Sequence, residues 1–368
     1  MKVPFLDLVR EYKNLKPQID KAIGSVLKSG KFILGENVST LENKIARASK
    51  CRYAVGVASG TDALKVALAA LDIKAGDEII TSAFTYIATT EAIIKSQAKP
   101  VFADINPLSY TLDPKAIEKA ITKKTKAIIP VHLYGQPADM SAINEIAKKH
   151  KFTVIEDAAQ AYGSVYGGQP VGSLGDIGCF SFFPTKNLAA YGDGGMVITN
   201  NKKLYELMLK LRVHGAESRY NHIIDGYNSR LDELQAAILN VKMRYIKIWI
   251  KARRESAKYY DQLLKKAHLA HIAPEKIKGS ESSYCLYTLR VKDRDKLLTH
   301  LLANGVDAAV YYPIPLHLQK VYKSLGYKKG DLPSTETASD EVISIPIYPG
   351  ITKKEQKYVI SCIKKFYK

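Results

Sequence analysis

EIITSAFTYIATTEAIIKSQAKPVFAD, residues 78–104, sets a short apolar run on each side of a helix-patterned segment. Residues 78–82 and 100–104 are strand-length and apolar, whereas 86–95 is amphipathic. The stretch therefore reads as one strand–helix–strand unit. The same alternation extends outward. Apolar runs recur at 53–58, 127–133, 152–156, 179–183 and 196–199, and helical patterns occupy 61–70, 114–121 and 140–150. This rhythm predicts βαβ units, an α/β fold and a mostly parallel, buried sheet. Between 157 and 196 glycines replace helical signals, which predicts loops able to deliver functional groups.

Residues 230–264 contain no Pro or Gly and repeat apolar positions at three and four, predicting one long helix. A smaller unit follows, with strands expected at 284–291 and 308–312, a helix at 293–303 and a terminal helix from Lys353. The boundary falls near 245. Residues 1–245 are expected to form a large domain with an N-terminal segment, and 246–368 a smaller C-terminal α+β domain. With no internal repeat and no low-complexity linker, the two should pack tightly.

The 368 residues are 46% hydrophobic and 25% charged, which suits a sizeable core and excludes a disordered or collagen-like chain. No apolar run approaches the ~20 residues of a membrane helix. The start, MKVPFLDLVREYKNLKPQ, turns charged too soon for a signal peptide. The expected location is cytoplasmic. Cys51, Cys179, Cys285 and Cys362 form no CxxC pair, so neither a disulfide framework nor a metal site is expected. The net charge of +19 raises three readings: a nucleic-acid binder, a basic host, or an enzyme for anionic small molecules. Its lysines are scattered over nearly every helical segment, as surface solvation requires. Nucleic acid therefore ranks last.

Nucleotide motifs fail. Gly30-Lys31 is followed by Phe32 and lacks the first P-loop glycine, and no GxGxxG links a strand to a helix. GxSxG and HExxH are absent too. Three other segments carry the chemistry. VASGTDAL (57–64) puts small residues and hydroxyls at a helix start, where N–H groups and the helix dipole favour an anion. Taken alone it is an ordinary cap on Ser59 or Thr61. VIEDAAQAYG (154–163) ends a buried strand on two acids, where open α/β sheets bind ligands. Of these, Glu156 reads as no more than a solvated loop acid. SFFPTKNLAAYGDGG (181–195) confines one lysine among aromatics, a proline and glycines, a setting for an imine-forming amine. Lys186 follows Asp157 by 29 residues. An anion cup, then an acid, then a lysine is the order a pyridoxal-phosphate enzyme requires.

In these blocks the chain resembles the DegT/DnrJ/EryC1/StrS family, the fold-type-I sugar aminotransferases. The likeness runs from PFLDL (4–8) and GKFILG (30–35) through AFTYIATTEAI and GYNSRLDELQAAIL to PIYPG (346–350). It implies a large, mostly parallel, seven-stranded α/β/α domain and a smaller C-terminal α+β domain. It implies pyridoxal 5'-phosphate, passing through pyridoxamine 5'-phosphate, and a homodimer with active sites shared across its interface. By the same resemblance Lys186 takes the cofactor's aldehyde and shuttles the proton, and Asp157 pairs with the pyridine nitrogen. Gln160 contacts the phenolic oxygen and Tyr86 stacks on the ring. Gly60 and Thr61 give backbone donors to the phosphate, and Ser181 its hydroxyl. Asn228 reaches the phosphate from the neighbouring subunit, and Arg230 faces substrate across the same interface. Tyr311, Tyr312 and His317 match a substrate-side segment, although 312–317 reads equally as a packed turn. His132 reads as structural.

The implied reaction moves an amino group from L-glutamate to a keto group of a nucleotide-linked sugar, for amino-sugar or surface-polysaccharide biosynthesis. Lys186 argues against the dehydrating branch, which carries histidine there. The dispersed cysteines argue against an iron–sulfur relative. An inosose-type aminocyclitol aminotransferase and a non-catalytic, PLP-binding regulatory protein stand as alternatives. Serine after Asn228, with KNLAAYGDGG, resembles branches aminating C3 more than C4.

Overall fold

Ile128 and Ile129 are both fully buried yet belong to different apolar clusters, because neighbouring residues of a strand point to opposite faces. A sheet buried on both faces needs helices on both. The computed structural model describes residues 1–275 and 277–367. It arranges β1 (Tyr53–Val57), β2 (Glu78–Ser82), β3 (Lys99–Ala103), β4 (Thr125–Ile129), β5 (Thr153–Asp157), β6 (Ile177–Ser181) and β7 (Gly195–Thr199) in one sheet. The order is β1-β7-β6-β5-β4-β2-β3. Only β7 runs antiparallel to its neighbours.

One face packs Ala127 and Ile129 against Val66 of α3 (Gly60–Ala69), Ala92 of α4 (Ile87–Lys95) and Met208 of α7 (Lys202–Leu211). The other packs Ile128 against Ile117 of α5 (Pro114–Ala120) and Ile143 of α6 (Met140–His150). Truncating one such residue, Ile129→Ala, should cost about 2–5 kcal/mol, the lost transfer energy plus the cavity. The parallel strands present their C-terminal ends along one edge. Residues just past β1, β5 and β6 therefore meet there, at the edge where sheets of this kind hold ligands.

Two expectations are corrected. The long helix over 230–264 is two helices, α8 (Glu233–Lys242) and α9 (Ile246–Lys266). The break lets Ile238 and Val241 face Leu15 and Ile19 of α1 (Leu8–Ser29), while α9 runs on to seat Ala257, Tyr260 and Leu264 in a second core. The strand at 308–312 reduces to a single bridge between Ala309 and Ser344. Its place is taken by β9 (Val342–Ile345), which pairs antiparallel with β8 (Tyr287–Arg290). Val3 bridges Val306 and is buried in that second core. The C-terminal unit is completed by α10 (Arg294–Ala303), α11 (Pro333–Glu341) and α12 (Lys353–Phe366).

Candidate active site

Beyond the strand ends lies a cavity of about 400 Å³. Of the residues singled out from sequence, Gly60, Thr61, Tyr86, Asp157, Gln160, Ser181, Lys186, Tyr311 and Tyr312 line it. The structure thus gathers segments that lie far apart in the chain.

The anion cup forms where β1 gives way to α3. Ser59 caps the helix and its Oγ accepts the Asp62 N–H at 3.1 Å. The N–H groups of Gly60 and Thr61 have no partner within the helix, as at every helix start. Both residues line the cavity, where the helix dipole adds to their partial charge. A side chain at Gly60 would put its Cβ 2.6 Å from Ser181 Cβ. Glycine is what lets the Ser181 hydroxyl and the helix start share one small space.

Asp157 ends β5 and is buried. Its own backbone is held on both sides, its N–H donating to Pro130 O at 2.9 Å and its carbonyl accepting from His132 at 3.0 Å. The carboxylate accepts from Thr89 Oγ1 at 2.7 Å and from the Ala159 N–H at 3.2 Å. Thr89 in turn meets Thr85 Oγ1 at 3.3 Å. Two donors on two oxygens fix how the carboxylate faces the cavity.

Gln160 is fixed as firmly. Its Oε1 accepts from the Tyr134 N–H at 2.7 Å, which leaves Nε2 to donate to the Tyr312 hydroxyl at 3.1 Å. Tyr134 has a left-handed φ of 60°. This unusual backbone turns its N–H to Gln160 while its carbonyl takes the Leu286 N–H at 3.2 Å. The Tyr134 hydroxyl also donates to Tyr311 O. One residue thus ties Gln160 to the C-terminal wall of the cavity. Burial raises the Tyr312 hydroxyl well above its ordinary pKa, so it stays neutral.

Lys186 sits half-buried in the loop between β6 and β7, its N–H donating to Phe183 O at 2.9 Å. The loop is closed by Phe182 N–H to Gly194 O at 2.8 Å and Ala190 N–H to Phe182 O at 2.7 Å. The adjacent Asn187 Nδ2 donates to Tyr162 O and Ser283 O, each at 3.3 Å. Tyr86 is exposed at the mouth, its ring centroid 6.1 Å from that of Tyr312.

Three singled-out residues lie off this chain's cavity. Asn228 is exposed and its backbone bridges Val213, Arg230 is two positions on, and neither is among the lining residues. His317 is buried, with Nε2 3.0 Å from Glu336 Oε1. His132 is also buried, joining Glu156 at 2.9 Å and accepting the Ala138 N–H at 3.0 Å. Glu156 is not a solvated loop acid. It is fully buried and accepts from the N–H groups of Gly172, Leu174 and Gly175 at 2.6–2.7 Å, fastening the turn that leads into β6. Sequence reasoning also passed over Thr89, Tyr134, Asp193 and Arg253, the first, third and fourth of which line the cavity.

An anion cup, a fixed carboxylate, an amide end and an amine facing one cavity match the phosphate, ring nitrogen, phenolic oxygen and aldehyde of pyridoxal phosphate. The fold and this cavity define a fold-type-I aminotransferase. Residues 13–364 match the model of the DegT/DnrJ/EryC1/StrS aminotransferase family, and the chain belongs to that family. It is 49% identical to the "Pleiotropic regulatory protein" of Geobacillus stearothermophilus, over 100% of this chain and 99% of that one. It is 43% identical to the UDP-N-acetyl-3-dehydro-alpha-D-glucosamine 3-aminotransferase of Acidithiobacillus ferrooxidans, over 99% and 97%. Among solved structures, DesV of S. venezuelae, in complex with a ketimine intermediate, superposes with a TM-score of 0.96 at 39% identity, covering 99% of this chain and 98% of that one. NtdA of Bacillus subtilis, with bound cofactor PMP, gives 0.91 at 34% identity, covering 98% and 84%. The protein is a PLP-dependent aminotransferase.

Proposed function

We propose that the protein transfers an amino group from L-glutamate to C3 of a keto-sugar carried on a nucleotide. The observation that carries this reading is the convergence of Lys186 and Asp157 on one cavity with an anion cup. The ring position draws on relatives. Besides the 43% relative, one at 40% is named dTDP-3-amino-3,4,6-trideoxy-alpha-D-glucose transaminase and one at 42% UDP-2-acetamido-2-deoxy-3-oxo-D-glucuronate aminotransferase. Their nucleotides differ and their sugar position does not. The proposal is therefore set at C3 rather than at a base.

In this reading Gly60, Thr61 and Ser181 hold the cofactor phosphate, Gln160 the phenolic oxygen, and Tyr86 covers the ring. When bound, the cofactor supplies an electron sink for the bond broken at the substrate carbon. Asp157 holds a proton on the pyridine nitrogen. Lys186 Nζ would take the proton from the donor carbon and pass it, on the same face, to the cofactor's aldehyde-derived carbon. Tyr311 and Tyr312 line the substrate side. His317 acts from behind that wall, through the turn it packs.

A homodimer completes the site. Asn228 and Arg230 lie off their own cavity, and Phe32, Ile33 and Leu34 of GKFILG are exposed apolar residues, as an unsatisfied interface would be. Asn228 then reaches the partner's phosphate cup and Arg230 the partner's substrate. We place the domain boundary near residue 245, between α8 and α9, and the protein in the cytoplasm.

The name of the 49% relative favours a second reading, regulation without turnover. One experiment separates the two. The holoenzyme is incubated with glutamate and a panel of 3-keto and 4-keto nucleotide sugars and an inosose, and products are read by mass spectrometry. Amination of 3-keto sugars alone is expected. Product from 4-keto sugars or the inosose alone overturns the assignment to C3. No product with any acceptor favours regulation.

A further inference from the structure

The cavity has four charged lining residues, Asp157, Lys186, Asp193 and Arg253. Two are cations, and one of these, Lys186, is the amine that the cofactor requires. Arg253 is thus the cation left in this wall for an anionic group of the substrate.

Its surroundings are unusual for a buried charge. Arg253 lies in α9 and is only 3% exposed. Nη1 donates to Ile347 O at 2.9 Å, Tyr284 O at 3.2 Å and Cys285 O at 3.4 Å. Nε is buried without a hydrogen-bond partner. Among the described residues no carboxylate pairs with the guanidinium, and Nη2 makes no hydrogen bond to the protein. Burial opposes its charge and lowers its pKa from the ordinary value. Elsewhere in the chain buried arginines have acids beside them, as Arg212 has Glu42 and Arg294 has Asp295. An unpaired buried guanidinium is costly, and an incoming anion removes that cost.

We infer that Arg253 binds a carboxylate of the amino-acid donor. Three features select a carboxylate. The fork of a guanidinium matches its plane in a bidentate pair. Arg253 lies in the wall made by Cys285, Leu286, Tyr311 and Ile347, where a small anion fits. A nucleotide diphosphate, large and strongly hydrated, suits the open mouth beside Tyr86 rather than an almost fully enclosed side chain. The three carbonyls on Nη1 hold the group still, so little side-chain freedom is lost when the donor arrives. Arg253 is in this way a donor-specificity residue, separate from the groups that hold the cofactor.

The inference rests on the proposed function only for the class of amino donor. The test is binding of glutarate, a non-reactive dicarboxylate, to the full-length holoenzyme by calorimetry, beside the glutamate and keto-sugar saturation constants. Arg253→Lys should weaken glutarate and raise the glutamate constant by about tenfold or more, the loss expected when a bidentate charged pair is broken, and leave the sugar constant unchanged. Glutarate binding and a glutamate constant equal to wild type overturn the inference. An equal rise in the sugar constant also overturns it, because the residue then serves the whole cavity. If Arg253→Lys does not fold, wild type decides: glutarate should bind at least tenfold tighter than glutaramide, which is about 1.4 kcal/mol, and equal binding refutes a carboxylate anchor. L-Glutamine and 4-aminobutyrate as donors distinguish an anchor for the α-carboxylate from one for the side-chain carboxylate. A wild type that reacts with glutamate but aminates no sugar sinks the sugar reading and leaves Arg253 as inferred.

Discussion

Thr89 donates its hydroxyl to Asp157 Oδ2 at 2.7 Å, from the first turn of α4 to the end of β5. The bond fixes the orientation of the carboxylate that is proposed to meet the ring nitrogen. Thr89→Val keeps the shape and removes the donor. The glutamate half-reaction, followed by stopped-flow absorbance, should slow on the order of tenfold, as for a lost hydrogen bond to a charged group. Thr89→Ser should restore most of the rate. A valine variant with wild-type kinetics would remove Thr89 from this role.

Gly60 and Gly24 make a contrast. Alanine at 60 would drive its Cβ to 2.6 Å from Ser181 Cβ and 3.2 Å from Ser181 Cα, whereas at 24 nothing lies within 4 Å. Gly60→Ala should raise the concentration of pyridoxal phosphate for half-saturation by about tenfold or more, because the cup must open to make room. Gly24→Ala, inside α1, should leave that value alone and add about 0.5–1 kcal/mol of stability. Equal cofactor affinity in the two variants contradicts the close-approach account.

The strand-end chemistry was legible because it sits where the pattern breaks. Asp157 and Lys186 follow apolar runs and are flanked by glycines or small residues, so each stands out. Arg253 stands beside Arg254 in a charged helix, and composition alone does not separate the two. Yet Ile246, Ile250, Arg253, Ala257, Tyr260 and Leu264 form the buried stripe of α9, while Arg254 turns outward to Glu281. A charge in phase with an apolar stripe was the available signal. The break between α8 and α9 carried none: Met243, Arg244 and Tyr245 are ordinary helix formers, and packing against α1 sets the bend. Thr89 was hidden for a similar reason, since Thr90 beside it has the same composition and a different orientation. Glu156, one residue before the end of β5, faces the turn of Gly172, Leu174 and Gly175 instead of solvent, and nothing in its local sequence marks that orientation.

The proposed sharing of the site between two chains can be tested by mixing them. Lys186→Ala and Asn228→Asp should each be inactive alone, the second because a carboxylate beside the phosphate repels it. In a mixed dimer with Asn228 acting across the interface, one site carries both defects and the other neither. Random one-to-one exchange should then return about a quarter of full activity under closed two-fold pairing. If Asn228 serves its own chain, every site keeps a defect and nothing returns.

Arg10 joins α1 to α12, its Nη2 lying 2.8 Å from Glu355 Oε1. The Arg10 hydrogen bond is the main reason that the Glu355 carboxyl is held below its ordinary pKa, helped by Thr352. A carboxyl lowered in the folded chain stabilises it above the unfolded pKa, and this is lost as pH falls through the folded value. Glu355→Gln should lower the Tm near pH 7 by a deficit of about 0.5–1 kcal/mol, kept small by solvent screening. The deficit should shrink below about pH 4, the ordinary carboxyl range. Melting curves across that range check it, and a deficit that does not narrow argues against the ion pair as its source.

The cavity lined by Asp157 and Lys186 is the proposed active centre, with Lys186 as the residue that bonds the cofactor. The most direct measurement is borohydride reduction of the native holoenzyme, followed by proteolysis and mass mapping of the pyridoxyl group. One modified peptide is expected, carrying the group on Lys186, and none once glutamate has first converted the cofactor to its amine form. A pyridoxyl group on any other lysine, or on none, would contradict this assignment.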